Sequence, residues 1–400
     1  MADSVPAPFS KKTVRDIAVA ELPVLVRVDF NVPLRGHRVA DESRIVAALP
    51  TIRHLSEQRA RVVLCTHLGR PQGKRVPSLS CRPLAAVLER ALGRPVAFSP
   101  DAVGPRARRT VDAMIPGDVA LLENTRFYPE EERNDAVFAR ALGSLGAVFV
   151  NDAFGAAHRE HASTVGVAAY LPAVAGLLLE REAAALGRLL SAERPFVAIV
   201  GGAKVSDKLG VLMQLLPRVD RLLIGGGMAN TFLCALGYEM GRSYLERDQL
   251  PAAAHLIAAA RAAGVELLLP IDLVVGNFFL EQADHRTVQV DQVPAEWLAM
   301  DIGPLTVELF AGALRGARTV FWNGPLGVAE WPHFAAGTAG VARAVAGCGG
   351  FTVVGGGDSI AALHRGGLQD RIGHVSTGGG ASLAFLEGKG LPGIACLEDR

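Results

Sequence analysis

The 400-residue sequence contains little cysteine, and its five cysteines follow no familiar pattern. They are widely spaced, odd in number and never part of a CxxC pair. A disulfide framework or a thiolate zinc site needs cysteines at close spacing or in even numbers, so neither is expected. We therefore expect a reducing, cytoplasmic environment.

Long apolar runs and a strong charge of either sign are also missing. Proline or glycine breaks each apolar stretch well before the roughly 20 residues that span a bilayer, and the N-terminus has no run long enough for a signal peptide. The formal net charge is +1, from 41 basic and 40 acidic residues, so no general attraction to nucleic acid or to a membrane surface is expected. The composition predicts a soluble protein, and the length suits two domains of common size.

Several catalytic and nucleotide-binding motifs are absent as well. The sequence has no GxSxG, HExxH or GxxxxGK[ST] motif, and no HRD or DFG triplet. Its GxG segments, Gly225–Gly227 and Gly355–Gly357, lack the third glycine of the dinucleotide-binding GxGxxG fingerprint. His67 and His158 could be metal ligands, but neither lies in an HxxxH or HExxH frame, so we favour hydrogen bonding for both.

What the sequence does contain is an alternation of short apolar, β-branched runs with stretches of helical spacing. Such alternation is typical of parallel α/β units and predicts two doubly wound, Rossmann-like parallel-sheet domains. The predicted strands are Val24–Val28, Val62–Leu64, Val119–Leu122, Val148–Val150, Phe196–Val200, Leu222–Ile224, Leu267–Leu269, Val320–Trp322 and Phe351–Val354.

The segment Leu171–Arg194 divides the chain into two unequal halves. Pro172 offers a helix start, and apolar residues follow at the three-to-four spacing of an amphipathic helix. Residues 1–170 hold 10 of the 44 glycines and residues 195–400 hold 32. We interpret 171–194 as a helix that connects two domains, although an ordinary core helix would show the same periodicity.

Polar and cationic residues follow the predicted strands of the first half. Ligands of open α/β sheets bind outside the carboxyl ends of the strands, and guanidinium forks suit phosphate or carboxylate groups. The sequence therefore predicts a site for a small anion. Its candidate residues are Asp29, Asn31, Arg44, His67, Arg70, Arg126 and Arg159, while Arg106, Arg108 and Arg109 are interpreted as a solvated surface.

Glycine runs follow the predicted strands of the second half. Gly201-Gly202-Ala203-Lys204 comes after one strand and opens a stretch in which Lys204 and Lys208 would share one face of a helix. Backbone N–H groups at a helix start, helped by lysines, favour a polyphosphate. Asp358 is the best-placed carboxylate for Mg²⁺. The residues alone thus predict a two-domain phosphate-handling enzyme, with kinase ahead of dehydrogenase.

The ordered set of motifs resembles that of phosphoglycerate kinases. The resemblance extends from near residue 24 to the end of the chain. The matching blocks are Val26–Pro33, His67–Pro71, Leu122–Glu131, Asn151–Thr164, Val200–Lys208, Trp322–Val328, Gly355–Ser359 and His374–Gly393.

The resemblance implies a reaction and a division of roles between the domains. The reaction is reversible phosphoryl transfer between 1,3-bisphosphoglycerate with MgADP and 3-phosphoglycerate with MgATP. Residues 1–170 would bind phosphoglycerate, with the tail 388–400 packed back on them, and 195–387 would bind the nucleotide. Residues 171–194 would act as a hinge, and the family implies a monomer.

The resemblance also assigns roles to individual residues. Arg44, Lys204 and Lys208 would be catalytic, and the seven candidates of the first half would hold phosphoglycerate. The nucleotide would be held by Gly202, Lys204, Lys208, Gly226, Gly303, Asn323, Glu330, Gly356, Gly357, Asp358 and Ser359, with Asp358 on Mg²⁺. The adenine wall stays open between Phe278–Leu280 and the segment around Gly303–Leu305.

Two other functions remain as alternatives. A Rossmann-type dehydrogenase is suggested only by the glycine-rich strand ends and lacks its fingerprint. A non-catalytic protein that has kept the fold is the second alternative. The same reversible step serves glycolysis, gluconeogenesis and carbon fixation, so the sequence does not choose among them.

Overall fold

A computed structural model describes residues 9–36 and 38–400 of the chain. Two structural units are present: unit 1 comprises Met1–Ala184 with Gly390–Arg400, and unit 2 comprises Ala185–Lys389. Each unit is built on a six-stranded parallel sheet flanked by helices. The expected fold class, two parallel α/β domains, is confirmed.

Unit 1 has one parallel sheet and a small hairpin. Its strands are β1 (Pro23–Arg27), β2 (Leu34–Arg35), β3 (Arg38–Val39), β4 (Arg61–Cys65), β5 (Val96–Phe98), β6 (Val119–Leu121), β7 (Val148–Asn151) and β8 (Ala173–Ala175). Its helices are α1 (Ser43–Glu57), α2 (Arg82–Leu92), α3 (Pro105–Asp112), α4 (Pro129–Glu132), α5 (Ala136–Gly143) and the start of α6 (Leu177–Leu190). The parallel sheet has the order β5-β6-β4-β1-β7-β8.

Unit 2 repeats the parallel architecture and adds a second sheet. Its strands are β9 (Phe196–Val200), β10 (Arg221–Ile224), β11 (Glu266–Leu268), β12 (Asp272–Gly276), β13 (His285–Gln289), β14 (Leu298–Ile302), β15 (Thr319–Asn323), β16 (Phe351–Gly355) and β17 (His374–Val375). Its helices are α7 (Leu209–Leu215), α8 (Gly227–Ala235), α9 (Leu250–Ala262), α10 (Pro304–Leu314), α11 (Ala336–Ala346), α12 (Gly357–Arg365) and α13 (Gly380–Leu386). The main sheet has the order β11-β10-β9-β15-β16-β17, and β13-β12-β14 form an antiparallel sheet.

The core strands are apolar on both faces because helices cover both sides of each parallel sheet. All five residues of β9 and of β15 are buried. The two strands pair in parallel from Thr319 opposite Phe196 to Asn323 opposite Val200. This pairing brings the two strand ends, and the glycine loops that follow them, to one edge of the sheet.

The prediction of a helix over 171–194 is wrong at its N-terminal side. Residues 173–175 form β8, which pairs in parallel with β7 at the sheet edge. The helix α6 begins only at Leu177, because the side chain of Asp152, which directly follows β7, caps it there. Asp152 Oδ1 accepts hydrogen bonds from the N–H groups of Leu178 at 2.9 Å and Leu179 at 3.1 Å.

The C-terminal tail belongs to unit 1, as the resemblance implied. Its short helix α14 (Pro392–Ala395) lies against the loop after β7. Gly393 N donates to Ala157 O at 2.9 Å, and Asn151 Nδ2 donates to Gly393 O at 2.7 Å. A side chain at 393 would meet the Ala157 backbone, so glycine permits this close approach.

Among the described residues, no helix combines the length and apolar character needed to cross a membrane.

Candidate active site

The predicted anion-site residues of unit 1 lie at the carboxyl edge of its sheet. Asp29 and Asn31 follow β1, His67 and Arg70 follow β4, Arg126 lies in the 3₁₀ turn after β6, and Arg159 lies in the loop after β7. Arg44 reaches this edge from the first turn of α1. Parallel strands present their carboxyl ends on the same side, which is why residues distant in sequence meet here.

Hydrogen bonds link four of these predicted residues: Asp29, Asn31, Arg44 and Arg126. Gly69 forms the link between Asn31 and Arg126. Arg44 Nη1 donates to Asp29 Oδ2 at 2.9 Å and to Asn31 O at 3.3 Å. Gly69 N donates to Asn31 Oδ1 at 2.9 Å, and Arg126 Nη1 donates to Gly69 O at 2.9 Å. The loops after β1, β4 and β6 are thus held in one network.

The positive charges of this edge are incompletely compensated. Burial, with the nearby charge of Arg159, lowers the pKa of the Arg126 guanidinium, although Glu132 opposes this effect. Arg126 Nε lies 3.2 Å from Glu132 Oε1, yet this buried N–H lacks the geometry of a hydrogen bond. A bound anion would supply the missing acceptor.

The histidines of this region are held in the neutral form. Burial lowers the pKa of His161 to about 4, with Arg126 and Arg27 acting in the same direction. Burial and the charge of Arg159 also lower the pKa of His158. These rings therefore offer hydrogen bonds and no positive charge at neutral pH.

Two predicted residues are less constrained by protein contacts. The side chain of Arg70 is exposed, and that of Arg159 is half-buried. Arg159 is close enough to Arg126 for their charges to interact. Arg70 directly follows Gly69, whose N–H and C=O groups both belong to the network.

Unit 2 contains a cavity of about 700 Å³ at the carboxyl edge of its main sheet. Five of the predicted nucleotide residues line it: Gly202, Lys204, Gly226, Glu330 and Asp358. The lining does not include six others, Lys208, Gly303, Asn323, Gly356, Gly357 and Ser359. Ser359 directly follows the lining residue Asp358, and Asn323 is two residues before the lining residue Pro325. Lys208 Nζ contacts Asn323 Oδ1, and Gly324 N donates to Ser359 Oγ at 2.9 Å.

Close backbone packing explains the glycines of this cavity. A Cβ on Gly201 would lie 2.2 Å from Pro325 O, and one on Gly226 would lie 2.7 Å from the same oxygen. Gly226 also has a φ of +69°, which L-residues rarely adopt. Three strand-end loops therefore meet through backbone alone, which leaves their surface open to a ligand.

The predicted helical face carrying Lys204 and Lys208 is wrong, because α7 begins only at Leu209. Lys204 lies in an exposed loop. This loop is held by Glu246, which accepts hydrogen bonds from Ser206 N at 3.1 Å and Ser206 Oγ at 2.6 Å. The bends that these bonds stabilise replace the expected first helical turn.

Lys208 differs from Lys204 in its surroundings. Burial lowers the pKa of Lys208 to about 8, with Asp207 opposing the shift. The ammonium group contacts Asn323 Oδ1. Lys208 is therefore a partly desolvated cation, whose attraction for phosphate is stronger than that of an exposed lysine.

One of the two candidate adenine walls lines the cavity. Phe279 does so, although 61% of it is exposed, and its ring lies 4.7 Å from that of Trp331 between centroids. The lining also includes Leu298–Ile302 of β14 but not Gly303–Leu305. A Cβ at Gly303 would lie 2.3 Å from Asp272 Oδ2, so this glycine packs against the core.

Comparison with known proteins decides the family. A family model described as phosphoglycerate kinase matches residues 14–389. The chain belongs to the phosphoglycerate kinase family. A curated phosphoglycerate kinase from Moorella thermoacetica is 58% identical over 393 residues, covering 98% of this chain and 100% of that protein. Another, from Pelotomaculum thermopropionicum, is 57% identical over the same length and share of both chains.

Solved structures give the same result. Phosphoglycerate kinase from Coxiella burnetii has a TM-score of 0.85 and 41% identity, covering 96% of this chain and 98% of that one. The enzyme from Pyrococcus horikoshii has a TM-score of 0.83 at 34% identity, with the same coverage. The resemblance inferred from the motifs is confirmed, and the dehydrogenase and non-catalytic alternatives are not favoured.

Several residues at the two sites were not anticipated from the sequence. Asn230, Arg242 and Tyr244 line the cavity of unit 2, from α8 and the loop after it. Arg27 of β1 lies behind the anion site, with Nη2 3.0 Å from His67 Nδ1. Arg242 and Tyr244 lie in a loop without a glycine run, so the sequence motifs gave no signal for them. Asn230 follows the Gly225–Gly227 run, and Arg27 is a charged residue at the end of the apolar strand β1, but neither position by itself indicates a role.

Proposed function

We propose that this chain catalyses reversible phosphoryl transfer between 1,3-bisphosphoglycerate with MgADP and 3-phosphoglycerate with MgATP. The proposal rests on one observation: this member of the family has an arginine network in unit 1 and a cavity lined by glycine loops in unit 2. The first suits a small anion, and the second suits a nucleotide.

In unit 1, phosphoglycerate would be held by Asp29, Asn31, Arg44, His67, Arg70, Arg126 and Arg159. The unsatisfied Nε of Arg126 supports this assignment, because burial without an acceptor costs free energy that a bound oxyanion recovers. Arg44 would also act on the transferring group.

In unit 2, backbone N–H groups near Gly202, Gly226, Gly356 and Gly357 would face the nucleotide phosphates, with Gly303 behind the base. Lys204 and Lys208 would supply positive charge to the phosphates and the transferring group, with Asn323 and Ser359 beside them. Glu330 would lie near the ribose. Phe279 would form part of the adenine wall.

Mg²⁺ fits the donors that line the cavity. Asp358 offers an exposed carboxylate in the first turn of α12, and Mg²⁺ is usually held by one or two carboxylates together with phosphate oxygens and water. Asp358 would therefore hold the ion with the nucleotide. The ion would neutralise charge on the phosphates.

The proposed chemistry needs no general base. In the ATP-forming direction an ADP β-phosphate oxygen attacks an acyl phosphate, and in the reverse direction the nucleophile is a carboxylate that is ionised at neutral pH. The protein must align the two groups and stabilise the charge of the transferring phosphoryl group. Guanidinium, ammonium and backbone N–H groups perform both tasks.

Alignment of substrates held on two units calls for a hinge, and we propose that α6 provides it. The boundary between the units falls within this helix, between Ala184 and Ala185. Closure would also keep water from the acyl phosphate. Small-angle scattering should record compaction when both substrates bind, and an unchanged radius of gyration would contradict the hinge.

The surroundings of the enzyme are part of the proposal. Cysteines without a pairing pattern support a cytoplasmic enzyme, and membership of the family supports a monomer. No nucleic-acid or membrane partner is proposed. Its direction in metabolism is left open among glycolysis, gluconeogenesis and carbon fixation.

The test is coupled turnover of 3-phosphoglycerate with MgATP, followed as NADH oxidation by added glyceraldehyde-3-phosphate dehydrogenase. Activity should disappear when Mg²⁺ is chelated. Lys204→Ala should lower kcat roughly 10²- to 10³-fold, because it removes charge stabilisation of the transferring group. Arg126→Ala should mainly weaken 3-phosphoglycerate binding, about tenfold to a hundredfold.

Matched controls remove an exposed cation from each unit. Lys389→Ala and Arg106→Ala remove side chains that are exposed and outside both sites, and they should leave kcat and KM unchanged. Absence of turnover in both directions from folded protein would refute the proposal. Binding of NAD(H) would revive the dehydrogenase alternative.

A further inference from the structure

Arg27 is an arginine buried inside the sheet of unit 1. It is 1% exposed, in β1, directly behind the candidate anion site. Its Nε donates to Ser163 Oγ at 2.7 Å, its Nη1 contacts Val28 O, and its Nη2 lies 3.0 Å from His67 Nδ1. Each of its three nitrogens is therefore engaged by protein.

A buried carboxylate compensates the charge of Arg27 through Ser163. Glu131 is fully buried, and its Oε1 accepts from Ser163 Oγ at 2.5 Å while its Oε2 accepts from Ser163 N at 3.0 Å. Ser163 thus donates to Glu131 and accepts from Arg27. Buried charges persist only when they are paired and hydrogen-bonded in this way.

The contact between Arg27 and His67 determines where the imidazole carries its proton. A guanidinium group has only donors and stays protonated, so the ring nitrogen that faces it must be the acceptor. His67 Nδ1 therefore lacks a proton, and the proton of the neutral ring is on Nε2. The partner of one ring nitrogen fixes the state of the other.

The charges around His67 keep the ring neutral. Burial, followed by the positive charges of Arg27, Arg126 and Arg44 and the neighbouring His161, holds the pKa of His67 well below its usual range. No residue within 9–36 or 38–400 accepts a hydrogen bond from Nε2. The Nε2–H group remains available to a ligand.

We propose that Arg27, held by Ser163 and Glu131, is a positioning residue that fixes His67 as a neutral Nε2–H donor to an oxygen of the bound phosphoglycerate. Arg27 does not touch the substrate itself. The positive charge of the site then comes from arginines alone, and His67 adds a directional hydrogen bond. That the ligand is phosphoglycerate rests on the proposed function. The effect of Arg27 on the protonation of the His67 ring does not depend on it.

The first test is nitrogen NMR of the ligand-free wild-type protein labelled with ¹⁵N-histidine, with His67 assigned from the spectrum of His67→Gln. The expected result is an unprotonated Nδ1 and a protonated Nε2 at all pH values between about 5.5 and 8. A doubly protonated ring, or a proton on Nδ1, would overturn the proposal without any variant having to fold.

The second test compares two replacements by their effect on 3-phosphoglycerate binding, measured by calorimetry. The amide of Gln reaches the Nε2 position, whereas the amide of Asn reaches only the Nδ1 position. His67→Asn should weaken binding about tenfold or more, and His67→Gln by much less. If His67 served only as a partner for Arg27, Asn would be the better replacement, and that order would contradict the proposal.

The third test is the pH dependence of the same binding constant. Arg27→Met combined with Glu131→Gln removes both buried charges together, so that no unpaired ion is left in the core. The pKa of His67 should then rise, and binding should become tighter as pH falls; Arg106→Met, which removes an exposed charge, should keep the wild-type profile. A wild-type profile in the double variant would contradict the proposal, while failure of the proposed function would show separately as absence of turnover in the wild-type protein.

Discussion

Asp152 offers a sharp test of how burial and helix capping compete in unit 1. Its Oδ1 caps α6, while its Oδ2 is buried and has no hydrogen bond of good geometry with any described residue. The hydroxyl of Thr51 and the capped N–H groups of Leu178 and Leu179 lower the pKa of this carboxyl. A carboxylate at a helix N-terminus is stabilised by about 0.3–2 kcal/mol. Burial nevertheless dominates and raises the pKa of Asp152 from 3.8 to about 7.

The sign and size of the effect on stability follow from this shift. The folded protein keeps the Asp152 proton at pH values where the unfolded chain has lost it, so the free energy of unfolding falls as pH rises from about 4 to 7. Each pKa unit corresponds to about 1.4 kcal/mol, which gives a total of about 4 kcal/mol. Asp152→Asn keeps an acceptor for the cap and cannot ionise. The free energy of unfolding of Asp152→Asn, relative to that of wild type, should therefore increase by about 4 kcal/mol between pH 4 and pH 8.

Unit 1 can be followed separately from unit 2 in this experiment. Cys65 and Cys81 are buried in unit 1, so their labelling in urea reports its unfolding, whereas the three tryptophans of the chain lie in unit 2 and report on that unit by fluorescence. Wild type and variant are compared at the same pH, which cancels the pH dependence of thiol chemistry. The quantity compared is the difference in unfolding free energy of unit 1 between Asp152→Asn and wild type. If this difference is constant with pH, or favours wild type at high pH, capping outweighs burial and the reasoning is refuted.

Three further results are expected in unit 2. Burial raises the pKa of Asp301 to about 7 as well. The unfolding free energy of Asp301→Asn, relative to that of wild type, should therefore increase with pH as it does for Asp152→Asn, and tryptophan fluorescence in urea measures it. MgADP affinity, measured by calorimetry, should fall as pH rises through about 8, where Lys208 loses its charge, and Lys208→Arg should remove this dependence because arginine stays protonated. Gly226→Ala should lower unfolding free energy by roughly 1–3 kcal/mol and weaken MgADP binding. Gly237→Ala, which has the same sign of φ but open space around its Cβ, should keep normal nucleotide affinity, and equal losses in both variants would assign the effect to backbone strain alone.

Nine of the twelve parallel strands in the described residues could be predicted, because burial on both faces leaves a continuous apolar run in the sequence. The edge strands β5, β8 and β17 were not predicted, because their two or three residues are too short for such a run. Phe196–Val200 matches β9 at both ends. Elsewhere the strand ends differ by a residue or so, because backbone pairing extends past the apolar residues, as at Asn323. The antiparallel sheet was not predicted. Its strand β13 is largely exposed and polar, and the short apolar runs of β12 and β14 do not by themselves indicate antiparallel pairing.

The connecting helix shows where periodicity alone is insufficient. The three apolar residues of β8 fit a helical pattern as well as a strand, and only pairing with β7 decides between the two. That pairing is a tertiary contact, which local sequence does not encode. The cap from Asp152, 26 residues before Leu178, is equally remote in sequence.

The candidate site was predictable to the extent that sheet topology brings strand ends together. Residues after β1, β4, β6 and β7 were expected at one edge because parallel strands share their direction. Arg27 could not be found in this way, because it lies within a strand and its partner Ser163 is 136 residues away. A charged residue in an apolar strand was the available signal, and it indicates a buried partner without naming it.

In the proposed function the two units would bind anions by different physical means, and this difference would explain their composition. In unit 1, guanidinium groups would provide both charge and direction, so the backbone would not need to approach the ligand and few glycines would be required. In unit 2, the loops of Gly201, Gly226 and Gly324 pack so closely that a Cβ on any of them would collide with backbone atoms. The N–H groups of Gly201, Gly226 and Gly324 are bonded within the protein, so the N–H groups that would face the phosphates are those at the starts of α8 and α12. Their charge is partial, so we expect Lys204 and Lys208 to supply the full charges. Substituting the lysines should therefore impair transfer of the phosphoryl group more than retention of the nucleotide, and substituting the glycines should do the reverse.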